Sequence, residues 1–186
     1  MLKIGIITGS TRPNRKSLDV ARWVLETAQK RGDAQYKLAD IQDLELPLFD
    51  EPMPPILGQY QQPHTKRWAE RVASLDGFVF VTPEYNHGIP AALKNAIDFL
   101  FAEWNHKAAG FVSYGGGASG ARAVEHLRLV LAEVRVATVR AQLTLSMWTD
   151  FERFTTFTPA PQHEKALGSV LDEVLAWAAA LKPLRS

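Results

Sequence analysis

Short, almost wholly apolar runs alternate with helix-period segments along the whole 186-residue chain, and no other feature restricts its fold as strongly. A strand covered by helices on both faces reads as a continuous apolar run. Residues 2–8 and 77–82 (Gly-Phe-Val-Phe-Val-Thr) are runs of this kind, and residues 36–41, 108–114 and 136–143 predict three further strands. Between them lie helical patterns. In residues 17–30, Leu18, Ala21, Leu25 and Ala28 recur at i, i+3, i+7 and i+10, and Gly32 stands where a C-terminal cap belongs. Residues 65–75, 90–101 (opened by Pro90), 119–134 and 162–181 read as the other helices. Five strands alternating with five helices predict a parallel sheet with helices on both faces. Right-handed crossovers leave few strand orders, of which 2-1-3-4-5 is expected.

Two stretches break the pattern. Residues 42–64 carry Pro47, Pro52, Pro54, Pro55 and Pro63 without a regular period, and read as an extended functional or interfacial loop. Residues 144–161 are aromatic and irregular. No repeat, low-complexity tract or boundary divides the chain, so residues 1–186 are expected to form one domain. Apolar residues make up 46% and charged residues 22%, with a net charge of +1, which gives no footprint for nucleic acid. The absence of cysteine excludes disulfides, thiolate metal sites and cysteine nucleophiles, so redox chemistry must belong to a bound cofactor. No apolar stretch is long enough to cross a bilayer and no cationic leader precedes the first strand, so a cytoplasmic location is expected. No histidines stand at metal-ligand spacing, and no metal is expected. The tryptophans, Trp104 and Trp148 among them, are expected in the core or at an interface.

In a sheet of this order a ligand lies beyond the carboxyl ends of the strands, where the order reverses. The loops after the first, third and fourth strands are therefore the candidates. The first, Gly9 to Ser17, leads into a helix N-terminus, where unpaired N–H groups favour an anion. Hydroxyls of Ser10, Thr11 and Ser17 with the guanidinium groups of Arg12 and Arg15 suit a phosphate dianion. The plainer reading is a capped turn with solvated charges. Asn14 and Arg15 stand where a nucleotide triphosphatase loop needs Gly and Lys, which excludes that class. The second loop, Pro83 to Pro90, is stiffened by its prolines. Gly88 permits a positive φ and Asn86 tolerates one, and Tyr85 either covers a flat ring or packs inward. The third contains Gly115, Gly117 and Gly120, which formally satisfy G-x-G-x-x-G. A dinucleotide site would require a carboxylate ending the next strand, where Arg140 stands, so the fingerprint is read as a tight glycine loop bordering a ligand edge. No paired carboxylates or Ser-His-Asp order in these loops supports hydrolysis.

The run Gly9-Ser10-Thr11-Arg12 with Ser17, and the run from Pro83-Glu84-Tyr85-Asn86-His87-Gly88 to Asp98, resemble the NADPH-dependent FMN reductase family from the first strand to about Val134. The resemblance implies a flavodoxin-like three-layer α/β fold and a homodimer or homotetramer with sites at subunit contacts. Those contacts would draw on the proline-rich loop and the end of the helix between Asn95 and Trp104. It implies FMN phosphate contacts from Ser10, Arg12, Arg15 and Ser17. It also implies ring contacts from Pro83, Glu84, Tyr85, Asn86 and His87, with Ser113, Gly115 and Gly116 bordering the ring. NAD(P)H would deliver a hydride to flavin N5, and a quinone, azo compound or similar small acceptor would then take the electrons. No catalytic side chain is implied for the first half-reaction. Asn86 and the glycine loop are the candidates for stabilising charge on the ring. The alternatives are a flavodoxin-type electron carrier, usually far more acidic than this chain, and a flavin-binding protein without turnover.

Overall fold

The computed structural model describes residues 1–185. Its elements run β1 (Lys3–Thr8), α1 (Ser17–Gln29), β2 (Gln35–Asp40), α2 (Pro63–Ala73), β3 (Gly77–Pro83), α3 (Ala91–Asp98), β4 (Lys107–Gly115), α4 (Ala121–Glu133) and β5 (Val136–Ser146). A two-stranded hairpin, β6 (Phe151–Glu152) and β7 (Thr156–Phe157), then precedes α5 (Gln162–Leu181). The main sheet has the expected order, β2-β1-β3-β4-β5, and every pair in it is parallel.

Alternation along each strand sends successive side chains to opposite faces. Ile6, Val79, Val81 and Val112 join a core with Val20 and Val24 of α1 and with Leu167, Val170 and Val174 of α5. Ile7, Phe78, Phe80 and Phe111 join a second core with Trp68 and Val72 of α2, Leu93 and Ile97 of α3, and Leu127 and Leu131 of α4. Three layers result, with the sheet in the middle. All of β3 is buried, as a central parallel strand should be. Trp68 and Trp104 are buried and meet edge to face at 5.8 Å.

The register decides where the loops emerge. Thr8 pairs with Val81, Val81 with Val112, and Pro83 with Tyr114, so β1, β3 and β4 end together at one rim. An irregularity beside β4 shifts the pairing from Ala109–Thr138 to Phe111–Gln142, two extra residues on β5. A bulge of this kind re-aims the strand that carries it. Here β5 continues through Thr144, Leu145 and Ser146, past the Leu143 limit that hydrophobicity predicts, and Ser146 pairs with Gly115 at the same rim.

The stretch 144–161 is therefore more regular than the sequence predicts. Its hairpin is held by Phe151, buried against Tyr114 at 5.8 Å and Phe157 at 5.1 Å. Pro90 stands just before α3, at the N-cap rather than inside the first turn. Helix α4 starts at Ala121 because Ser119 (φ 50°) and Gly120 (φ 82°) are left-handed and cannot belong to it. The proline-rich loop is pinned at several points: Asn95 Nδ2 donates to the Pro47 carbonyl at 2.7 Å, and Phe49 N donates back to Asn95 Oδ1 at 2.9 Å. The buried Glu51 carboxylate accepts from the N–H groups of Gln61 and Gln62 at 2.8 and 3.0 Å.

Candidate functional site

At the carboxyl rim, β1, β3 and β4 open into one cavity of about 270 Å³. Arg12, Arg15 and Lys16 from the first loop give it cationic side chains; Tyr85, Gly115, Gly116 and Phe154 are among the residues that complete the lining. The volume is at or below the usual lower limit for small-molecule sites, so a larger ligand keeps part of its surface open. A wider cavity of about 550 Å³, lined by Asp76, Glu103, Lys107 and Arg185 among others, lies at the opposite end, where β3 and β4 begin. Ligands of doubly wound sheets bind at the carboxyl ends, and the smaller cavity is the one with converging loops.

No side chain caps the start of α1. Just inside it, the Ser17 hydroxyl is fully buried without a hydrogen-bond partner, and the Arg15 Nε is likewise buried and unpaired. Buried donors without partners are rare in native proteins and call for an explanation. Both lie on the one loop whose composition suits a phosphate. The rest of the Arg15 guanidinium is engaged: it meets Asp40 Oδ2 at 2.5 Å and also bonds to Gln42 Oε1. The buried Asp40 carboxylate accepts in addition from Thr8 Oγ1 at 2.7 Å and Gln42 N at 3.1 Å, which fixes the arginine in place. Arg12 is exposed and free to close over a ligand.

The Ser10 side chain has partners of its own within the loops. Its buried Oγ accepts from Arg12 N at 3.3 Å and lies 2.8 Å from the Tyr85 hydroxyl, tying the first loop to the second. With Tyr85 donating, Ser10 keeps its own proton for an anion. Tyr114 is buried beside Ser17 and Tyr85, and burial pushes its hydroxyl above the ordinary tyrosine value, so it stays protonated.

In the second loop Tyr85 and Gly88 exchange both backbone hydrogen bonds, at 2.9 and 3.0 Å. The two residues between them, Asn86 (φ 49°) and His87 (φ 69°), are left-handed, the pattern of a type I′ turn. The positive φ values thus fall on Asn86 and His87, and Gly88 has none. Asn86 and His87 stand exposed at the turn's tip and do not line the cavity, whereas Pro83, Glu84 and Tyr85 do. The Glu84 side chain reaches sideways to the start of α4. It accepts from Arg122 Nε at 2.7 Å and Ala123 N at 3.4 Å. Burial alone raises this carboxyl, but the bonds from Arg122 and Ala123 outweigh it and hold it below the usual range.

Glu84 therefore supplies the anion at the N-terminus of α4. A dinucleotide pyrophosphate, which G-x-G-x-x-G loops place there, would find the position filled from within the chain. Gly120 is required by its left-handed φ and by crowding, since a Cβ would lie 2.7 Å from Ser113 Cβ and 2.9 Å from Tyr114 N. A Cβ on Gly116 or Gly117 would meet nothing within 4 Å, so their backbone is open to a ligand. Ser113 is buried beneath the loop and donates to the Ser119 carbonyl at 2.9 Å, which makes it a support for the loop.

The cavity thus gathers Arg12, Arg15, Pro83, Glu84, Tyr85, Gly115 and Gly116 of the expected residues. Ser10, Ser17 and Ser113 are buried and Asn86 and His87 exposed, and these five are not among its lining residues. Sequence reasoning missed Lys16, Tyr114, Met147 and Phe154 as lining residues. The signal for Met147 was its place just past a strand's carboxyl end. Phe154 carried none, because its position depends on the hairpin.

The residues present fit a phosphorylated flat ring: cations with two unpaired buried donors for the phosphate, and open glycine backbone with aromatic side chains for the ring. The sequence model of the NADPH-dependent FMN reductase family matches residues 2–150. An NAD(P)H-dependent FMN reductase of Schizosaccharomyces pombe is 45% identical over 147 residues, covering 77% of this chain and 73% of that protein. A quinone reductase of Pseudomonas putida is 33% identical over 129 residues, covering 66% of this chain and 65% of its own. Among solved structures, the flavoenzyme NAD(P)H:(acceptor) oxidoreductase of Paracoccus denitrificans superposes with a TM-score of 0.72 at 20% identity, covering 97% of this chain and 98% of the other. At that identity the superposition speaks for the fold alone, which is flavodoxin-like.

Proposed function

The chain belongs to the NADPH-dependent FMN reductase family and is an NAD(P)H-dependent FMN oxidoreductase, and from that premise we propose which of its residues serve the reaction and what they serve it for. The observation that carries the proposal is that Arg12, Tyr85 and Gly115, from three separate loops, line one cavity at the carboxyl rim. FMN, when bound there, would supply the redox chemistry, hydride acceptance from NAD(P)H and electron donation to a small acceptor. Arg12, Lys16, the Arg15 Nε and the Ser17 hydroxyl bind its phosphate. Asp40 orients Arg15, and Ser10 orients Tyr85. Pro83, Tyr85, Gly115 and Gly116 border the ring, and the backbone N–H groups of the glycine loop stabilise negative charge there, as donors do in an oxyanion hole. Glu84 and Ser113 hold the second and third loops in place. Asn86 and His87, at the turn's tip, act from the rim of the site. Tyr114 keeps its proton and serves as a neutral wall; no side chain is assigned as acid or base.

A quinone-class acceptor is proposed, since the relatives include proteins named quinone reductase. A homo-oligomer is proposed as well, on the exposure of Leu48 (84%), Ile56 (63%) and Leu57 (50%) in a loop that is otherwise firmly anchored. Residues 1–186 serve as one domain holding one FMN, in the cytoplasm where NAD(P)H is supplied. No helix among the described residues is long and apolar enough to cross a membrane. The test is a visible spectrum of the purified protein, followed by NAD(P)H titration without and with naphthoquinone. Yellow protein that bleaches with NAD(P)H and recovers with the quinone is expected. Colourless protein that takes up no FMN refutes the residue assignments, and Leu48→Glu with unchanged sedimentation refutes the proposed interface.

A further inference from the structure

Beside the cavity, the segment joining β5 to α5 leaves two large aromatic side chains in the open. Trp148 is 66% exposed and Phe154 51%. Their rings meet edge to face at 5.0 Å and 85°. Phe154 lines the cavity together with Met147, Tyr85 and Gly116. All the tryptophans were expected in the core or at an interface; Trp104 is buried, whereas Trp148 is exposed.

This exposure is built on a rigid base. Met147 N donates to the Gly115 carbonyl at 2.9 Å, which fastens the segment to the glycine loop. The buried Asp150 carboxylate accepts from Ser146 N at 2.8 Å and faces His163 Nε2 at 2.7 Å, and Phe151 is buried underneath. Arg153 (φ 50°) and Phe154 (φ 59°) are both left-handed, a conformation that bulky residues rarely adopt. Backbone held in such a region, with its side chain turned to a cavity, is a reason to look for a function.

The phosphate loop and the glycine loop are already assigned to FMN, and the aromatic pair flanks the glycine loop on the side away from β3. The electron-rich face of an aromatic side chain pairs well with a flat, electron-poor ring. A quinone is such a ring; a dihydronicotinamide is electron-rich and gains less from the same surface. We propose that Trp148 and Phe154 form an aromatic wall that receives the planar ring of a quinone-class acceptor and selects it over non-planar acceptors. This rests on the FMN oxidoreductase reading and extends it to Phe154, which lies beyond the segment that the family model matches.

The experiment uses FMN-loaded enzyme and compares wild type with Trp148→Ala, Phe154→Ala and Phe154→Tyr. The ratio of kcat/KM for 1,4-naphthoquinone to that for ferricyanide, which is octahedral, falls about tenfold in each alanine variant, equivalent to about 1.4 kcal/mol. Phe154→Tyr restores it. Naphthoquinone added to the oxidised wild-type holoenzyme without NAD(P)H quenches tryptophan emission along a saturating curve, and Trp148→Ala loses that component. An unchanged ratio in both alanine variants overturns the proposal. So does an FMN Kd weakened by the same factor as the ratio, which would make the pair part of the flavin seat, or a change confined to sedimentation, which would make it a contact with a second copy. Wild-type holoenzyme that NAD(P)H does not bleach overturns the underlying reading as well; one that bleaches normally leaves a failure with the wall alone.

Discussion

Replacing Ser17 by alanine separates what the first loop does for the fold from what it does for a ligand. The hydroxyl is fully buried at the start of α1 beside the Tyr114 hydroxyl and makes no hydrogen bond of good geometry, so in the ligand-free protein its desolvation cost is only weakly offset. Such a group costs about 1–3 kcal/mol. Alanine removes the group and gives up only an oxygen's worth of packing. The ligand-free variant is therefore expected to be as stable as the wild type, or up to about 1 kcal/mol more stable, by urea unfolding. Binding moves the other way. A hydrogen bond to a charged partner contributes about 1.5–3 kcal/mol, so the variant loses about 10- to 100-fold in FMN affinity, read by quenching of flavin fluorescence. The stabilisation that FMN confers on unfolding shrinks to match. A ligand-free variant less stable by more than 1 kcal/mol, with FMN affinity within twofold of wild type, would show that the hydroxyl serves the fold, and the phosphate assignment would fail.

Gly120→Ala forces a side chain into a left-handed position against Ser113 and Tyr114 and is expected to cost about 2–4 kcal/mol by urea unfolding. Gly117→Ala, with open space around it, stays within about 0.5 kcal/mol, and equal effects of the two would refute the account of this loop. Glu84→Gln lowers stability by about 1–2 kcal/mol at neutral pH. Because the folded carboxyl is held below its ordinary value of 4.5, that contribution is present above 4.5 and is lost as the pH falls through the depressed folded value, so acid titration makes the two proteins converge. A difference that persists unchanged well below pH 4 contradicts this. Lys107 is buried, its amine donating to the Val72 carbonyl at 2.7 Å, and burial brings it down from 10.5 to about 8. Between those values the unfolded chain binds the proton that the folded chain has released. Stability relative to Lys107→Met is therefore expected to rise from pH 8 to 10, by an amount on the order of 1–3 kcal/mol, and a flat or falling difference refutes it.

The sheet and its order were legible because buried parallel strands leave apolar runs that nothing else in the chain imitates; β3 is the plainest case, buried from Gly77 to Pro83. Helix α5 was legible to its ends, Gln162 and Leu181, because its core contacts recur at helical spacing as Leu167, Val170, Leu171, Val174 and Ala178. What was not legible depends on distant contacts. The β6–β7 hairpin has two residues per strand and exists because Phe151 finds Tyr114 and Phe157. The end of β5 sets buried Leu145 between polar Thr144 and Ser146, too short an apolar signal to read, and pairing with Gly115 and its neighbours keeps it in the sheet. For the site, residue types and loop positions pointed to Arg12, Tyr85 and Gly115, and these three line one cavity. Partners were hidden: no local pattern ties Arg15 to Asp40, Ser10 to Tyr85, or Glu84 to the start of α4. In each case a residue read as a ligand contact spends part of its hydrogen-bonding capacity on holding loops together.

The proposed site requires the loops after β1, β3 and β4 to hold FMN jointly. Amide hydrogen exchange of the protein with and without FMN tests it most directly, because each loop gives its own peptides. Slowed exchange in residues 9–17, 83–88 and 115–120 together, saturating at one FMN per chain, is the expected result. Protection concentrated instead around residues 73–76 and 102–107, at the wider cavity on the other end of the sheet, would contradict it.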